Sequence, residues 1–239
     1  MSDEPFRWLH LSDFHVGKDE YGQISLFRSI LDNVQVAMSQ DQTPDAVFIS
    51  GDIAQSGKND QYQTFLDDFF WPLQSMLSST PCHDRIFVVP GNHDVDRLIA
   101  RAVKTHGVLS DIPTFFDPTA DAQFDRSPLF SRFEAFMAHD PTTINPHWIA
   151  SVAGRLCRRI AHGDKQFGVL CLNSAWLCCG DDDRHNLSFG KAILEQGLEE
   201  MKDVALRIVL VHHPIEWLLD DEIGAIRSLL ARRRPPRLE

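Results

Sequence analysis

Four short stretches of this 239-residue sequence carry side chains able to hold divalent metal ions. Asp13 and His15 form the first. Asp52 follows Gly51 in the second. Asn92, His93 and Asp94 follow Gly91 in the third, and His212 and His213 precede Pro214 in the fourth. Carboxylate oxygens, imidazole nitrogens and one amide oxygen suit a hard or borderline divalent cation. Asp13 and His15 are two residues apart, so in an extended segment both point to the same side. Asp52 offers two oxygens and could bridge two ions. Gly51 and Gly91 permit sharp turns just before the polar residues. Any one stretch alone is an ordinary turn or strand end; four together ask for a common cause.

The flanking residues supply one. Phe6 to Leu11 alternates apolar and polar residues as a strand does. Ala46 to Ile49, Arg85 to Val89, Gln166 to Leu172 and Arg207 to Val211 are apolar runs of buried-strand type. Between them, Ile24, Phe27, Ile30, Leu31, Val34 and Met38 recur at helical spacing. Tyr62 to Leu77 predicts a helix kinked near Pro72. Lys191 to Lys202 and Asp221 to Ala231 predict two more. Strands alternating with helices imply an α/β fold with parallel strands. Each polar stretch directly follows a predicted strand, and in an open parallel sheet those ends line one edge, where ligands bind. Residues 96–165, with Pro113, Pro118, Pro128, Pro141 and Pro146 and several Phe, predict a mainly helical insertion, with its Phe side chains as local core.

Composition bounds the alternatives. The chain is 43% hydrophobic and 24% charged, as an ordinary globular protein is. No apolar run reaches the roughly 20 residues that span a bilayer. The acidic start, Met1 to Pro5, has no signal-peptide apolar core, which implies a cytoplasmic protein. The net charge of −11 disfavours nucleic acid and acidic membranes as partners. Arg155, Arg158 and Arg159, and the tail Arg232, Arg233, Arg234 and Arg237, are expected as solvated surface. The five cysteines lack zinc-site spacing and are expected to be reduced thiols. Ser56-Gly57-Lys58-Asn59 has the wrong spacing for a phosphate loop. Asp181, Asp182 and Asp183 predict a solvated loop.

Asp13-Phe14-His15, Gly51-Asp52, Gly91-Asn92-His93-Asp94 and His212-His213-Pro214, in this order and each after a strand, resemble the motifs of the calcineurin-like metallophosphoesterases. Trp8 to Asp13 and Leu172 to Trp176 resemble bacterial members, some of which carry this domain at the start of larger proteins. The resemblance runs from about Phe6 to Asp220. It implies a layered β-sheet sandwich flanked by helices, and two divalent metal ions (Mn, Fe or Zn). It further implies that Asp13 and His15 bind the first metal, that Asp52 bridges both, and that Asn92 and His212 bind the second. His93 would stand just outside the metals near the leaving group, with Asp94 orienting its ring. The implied reaction is hydrolysis of phosphate mono- or diesters by a metal-bridged hydroxide, with diesters slightly favoured by analogy and a nuclease disfavoured by charge.

One motif of the family is missing. After His213 the sequence has no Gly-His-x-His pair, and Arg234-Pro235-Pro236 cannot continue a central strand. The expectation is one domain over 1–239, incomplete at its C-terminus. Three explanations are open: the expressed chain is cut, with Leu238-Glu239 a cloning remnant; the natural chain is shortened, as by a frameshift; or other residues replace the histidines. A shortened chain is preferred. The alternative function is a catalytically impaired metal- or nucleotide-binding module of a larger protein or assembly.

Overall fold

The computed structural model describes residues 5–18, 22–102, 111–141, 148–180 and 182–231. The basic tail from Arg232 onward and Asp181 lie outside these residues. The fold is the α/β, two-sheet arrangement that the resemblance implies.

The first sheet is parallel, in the order β1 (Trp8–Leu11), β2 (Ala46–Ile49), β3 (Ile86–Val88). All four residues of the central β2 are buried, so both of its faces are covered and it reads as an unbroken apolar run. The edge strand β1 alternates between exposed and half-buried. Helix α1 (Gln23–Ser39) links β1 to β2 and turns Phe27 and Val34 into the core. The second connection runs through α2 (Asn59–Phe65), a π-helical turn (Leu66–Phe70) and α3 (Trp71–Met76). The expected disturbance before Pro72 is this π turn. Proline has no N–H and crowds the preceding turn, and one wider turn relieves both. It also leaves consecutive Phe69 and Phe70 fully buried. The rings of Phe14, Phe27, Phe65 and Phe69 pack together, with centroids 5.0–6.3 Å apart.

The second sheet is mixed. β4 (Arg155–His162) and β5 (Lys165–Leu172) form an antiparallel hairpin, and β6 (Leu206–Leu210) lies parallel to β5. β4 corrects the sequence expectation, which ran a mainly helical insertion to residue 165. Its arginines hid it. They are only in part the expected solvated surface: Arg155 is buried against Glu200, Arg158 is half-buried and donates to Asp84 O (2.9 Å), and Arg159 is exposed and donates to Glu200 O (2.7 Å). Each charged head reaches a polar partner. Phe6 stacks on Phe167 at 4.5 Å between the two sheets.

The described part of the insertion before β4 is helical: α4 (Arg97–Ala102), α5 (Ile112–Phe115), α6 (Ala120–Arg126), a 3₁₀ stretch (Ser127–Phe133) and α7 (Glu134–His139). Phe115, Phe116, Phe133 and Phe136 are its core, while Phe124 is 75% exposed. Two buried arginines tie it down through carbonyls. Arg126 holds Phe115, Asp117 and Val152; Arg132 holds Ala100, Trp176 and Cys178. Helices α8 (Lys191–Glu200) and α9 (Asp220–Ala231) flank β6 in sequence. All five cysteines are free thiols, and no described helix is long and apolar enough to cross a membrane.

Candidate metal centre

The loops after β1 and β2 stay paired beyond the strands. Asp13 N donates to Gly51 O (3.1 Å), His15 N to Asp52 O (2.9 Å), and Val16 N to Ile53 O (2.9 Å). Within this ladder, Asp13 (φ 60°), His15 (φ 49°), Gly51 (φ 94°) and Asp52 (φ 55°) are left-handed. Left-handed residues other than glycine cost about 1 kcal/mol or more, and such strain gathers where function needs it. Asp13 and His15 therefore converge because of these turns, not through the strand alternation that the sequence suggested. Gly51 is required by space as well as by φ. A Cβ there would stand 2.6 Å from Gly91 N and 2.9 Å from His212 Nδ1. A Cβ on Gly91 would overlap Asp52 Oδ1.

Asp52 sits at the centre, with its side chain 4% exposed. Its Oδ1 accepts the His93 N–H at 2.8 Å. Its Oδ2 lies 3.9 Å from His15 Nε2 and 3.5 Å from His212 Nε2. His212, just past β6, comes from the other sheet. Its Nδ1 lies 2.6 Å from Ser50 O, which only accepts, so Nδ1 carries the proton. In the neutral ring, Nε2 then presents a lone pair to Asp52 Oδ2 and to Asn92 Oδ1, 3.2 Å away. His15 Nε2 lies 3.7 Å from Asp13 Oδ1, and its buried Nδ1 has no hydrogen-bond partner. Burial, partly offset by Asp52, lowers the His15 pKa. Acceptors facing acceptors at these separations are what a cation would resolve, so the donor set fits divalent metal ions.

Among the described residues, two groups have ligand atoms within 4.8 Å of one another: His15, Asp52 and His93; and Asp13, Asp52 and His212. Asp52 belongs to both. Asp13 Oδ1 lies 3.7 Å from His15 Nε2, and Asp13 also groups with Asp52 and His212. His93, expected just outside the metals, lies within reach of a ligand group. The His93 ring is oriented by Gln55 O, 2.8 Å from Nδ1, and its Nε2 faces the Arg97 guanidinium at 3.3 Å.

Asp94 does not orient that ring. Its buried carboxylate accepts Gly91 N (2.9 Å), Ala54 N (3.0 Å), Ile53 N (3.3 Å) and the Tyr62 hydroxyl (2.8 Å). It joins the loops after β2 and β3 from beneath. Burial, and then the Asp52 charge, push its pKa up to about 6. His213 points the other way, into the protein. Ser174 Oγ meets its Nδ1 at 2.8 Å, and burial holds its pKa down to about 3, so it stays a neutral support. His10 is likewise a packed residue, 2.8 Å from Ser50 Oγ. Sequence reasoning missed Ser50, Gln55, Tyr62 and Arg97. The first two act through main-chain carbonyls, which leave no side-chain signature, and the last two have no motif spacing.

The sequence profile of the calcineurin-like phosphoesterases matches residues 6–226. The chain is also 23% identical over 237 residues to the uncharacterized metallophosphoesterase-like protein YydB of Bacillus subtilis (strain 168), an alignment covering 93% of this chain. It spans about half, 45%, of that relative's length.

Proposed function

The chain belongs to the calcineurin-like phosphoesterase family, and on that footing we propose that it hydrolyses phosphate mono- or diesters with two divalent metal ions, drawn from Mn, Fe and Zn. The observation that carries this is the pair of ligand groups sharing Asp52. Bound ions would supply activation of water and neutralisation of phosphoryl charge. Asp13, His15 and Asp52 would hold one ion, and Asp52, Asn92 and His212 the other. His93 stands on the leaving-group side. Its main chain is fixed by Asp52 and its ring by Gln55, and Nε2, which faces Arg97 at 3.3 Å, is the ring atom that would hold or pass a proton. Asp94 shapes the loops and carries no proton step. The acidic charge disfavours nucleic acid as a partner, and the longer relative supports further segments or partners around a single, C-terminally incomplete domain over 1–239.

The test is hydrolysis of bis(p-nitrophenyl) phosphate and of p-nitrophenyl phosphate with added Mn²⁺, with Asp52→Asn as control. Turnover that disappears in the control is expected. No turnover of either ester, in folded protein that binds Mn²⁺, would overturn the enzyme. That result would leave the second reading, a catalytically impaired metal- or nucleotide-binding module. One observation favours the second reading: among the described residues each group offers only three His or Asp ligands, one of them shared.

A further inference from the structure

β5 and β6 run parallel, with Cys171 opposite Leu210. The chain therefore leaves both strands side by side, and the turn that follows β5 lies against His212 and His213. In that turn the side-chain oxygen of Asn173 accepts Ala175 N at 2.8 Å, a tight turn closed by its own side chain. Arg132 donates to Trp176 O (3.0 Å) and Cys178 O (3.4 Å), and the Trp176 ring lies 5.6 Å from that of Phe133. Asn173, Ser174, Ala175 and Trp176 are all buried. The turn belongs to the core.

Its Ser174 hydroxyl holds His213 at two points. Oγ accepts His213 N at 3.2 Å and lies 2.8 Å from His213 Nδ1. A hydroxyl has one proton to give, and with Oγ already accepting from the main chain that proton goes to Nδ1. The neutral ring then carries its own proton on Nε2, which faces Cys178 Sγ at 3.8 Å. Main chain and ring of His213 are both fixed, and the peptide bond that starts His213 is the one that ends His212. The two rings stand edge to face, 4.6 Å between centroids. His212 reaches the site from the mixed sheet, so on that side its aim is set by what holds His213.

On the two-ion phosphoesterase reading, we propose that Ser174 is a positioning residue for His212: its clamp on His213 pre-orients the His212 ring and sets the affinity of the ion that His212 would hold with Asp52 and Asn92. A ligand already aimed loses less freedom when the ion arrives, and a metal site needs its ligands placed to within about 0.5 Å. Ser174 is fully buried, so its effect passes through His213.

The test titrates Mn²⁺ by calorimetry into wild type, Ser174→Ala, His213→Asn, His213→Leu and Cys171→Ala. Urea unfolding of the metal-free proteins and kinetics on the nitrophenyl esters accompany it. Ser174→Ala is expected to weaken one Mn²⁺ site about 10-fold, the low end of the loss when an outer partner of a metal ligand is removed. The other site should stay within about twofold. His213→Asn keeps an acceptor for the hydroxyl near the place of Nδ1 and should retain most of the affinity; His213→Leu removes it and should match Ser174→Ala. Cys171→Ala truncates a fully buried side chain within β5 and should lower the urea midpoint, as a cavity does, with both sites at wild-type affinity. At limiting Mn²⁺ Ser174→Ala should turn over slowly, and saturating Mn²⁺ should restore its kcat. Ser174→Ala with both sites unchanged, or both weakened alike, would overturn the proposal, as would Cys171→Ala losing the same site or His213→Asn doing no better than His213→Leu. If Ser174→Ala does not fold, the two His213 variants decide by the same criterion. Wild type that takes up fewer than about two ions and cleaves neither ester would sink the two-ion reading and this one together. Wild type that binds both ions and cleaves an ester, with Ser174→Ala matching it, would sink this one alone.

Discussion

The two sheets contribute to the candidate site in unequal ways. Loops after the parallel sheet carry Asp13, His15, Asp52, Asn92 and His93. They are locked by main-chain pairing, left-handed turns, two crowded glycines and the buried Asp94 carboxylate. The mixed sheet contributes His212, joined to the first sheet's loops through Nδ1, 2.6 Å from Ser50 O, and Nε2, 3.2 Å from Asn92 Oδ1. One region is organised by its own backbone; the other donates a side chain. A ligand group can therefore be built within the first sheet, while the second group depends on how the sheets meet.

Substitutions can break or sharpen this contrast. Asp52→Asn should have the largest effect, because both groups use this carboxylate. Mn²⁺ affinity should fall by more than the roughly 10- to 100-fold lost when an outer partner of a metal ligand is removed, as read by calorimetry. A loss no greater than that of His212→Ala would show that the groups do not share Asp52. Gly51→Ala comes next. Its left-handed φ and the 2.6 Å approach to Gly91 N should cost about 2 kcal/mol or more in urea unfolding. His212→Ala should act on one group only: bound manganese should drop from roughly two ions to one by elemental analysis, with little change in the urea midpoint. Equal loss of both ions would mean that the sheets are energetically one unit. Tyr62→Phe should be mildest. It removes a buried 2.8 Å bond to Asp94 and should cost about 1 kcal/mol, with metal stoichiometry intact.

The legible parts of the fold were those with local periodicity. β2 has the predicted limits, and β1, β3, β5, β6 and the long helices lie within a few residues of theirs. β4 was illegible because its alternation is carried by Leu156, Arg158 and Ile160, with Arg155 and Arg159 on the other face. Arginine reads as surface in a sequence, and Arg159 is indeed exposed, whereas Arg155 is buried and the heads find carbonyls and a carboxylate. Proline-rich composition correctly marked an irregular segment before β4, but it could not say where that segment ended.

Residue types and their order along the chain determined which side chains could hold metals, because metal chemistry selects oxygen and nitrogen donors whatever the fold. Strand ends determined that those side chains would meet at one edge. Tertiary structure alone decided the separations: His15 Nε2 lies 3.7 Å from Asp13 Oδ1, and Asp52 Oδ2 lies 3.9 Å from His15 Nε2 and 3.5 Å from His212 Nε2. It also turned Asp94 away from His93 and set Gln55 O and Arg97 in its place. These outcomes hang on left-handed backbone angles and on the meeting of two sheets, separations of a few ångströms between residues as distant in sequence as Ser50 and His212. Sequence spacing carries no measure of such distances, and only the packed core fixes them.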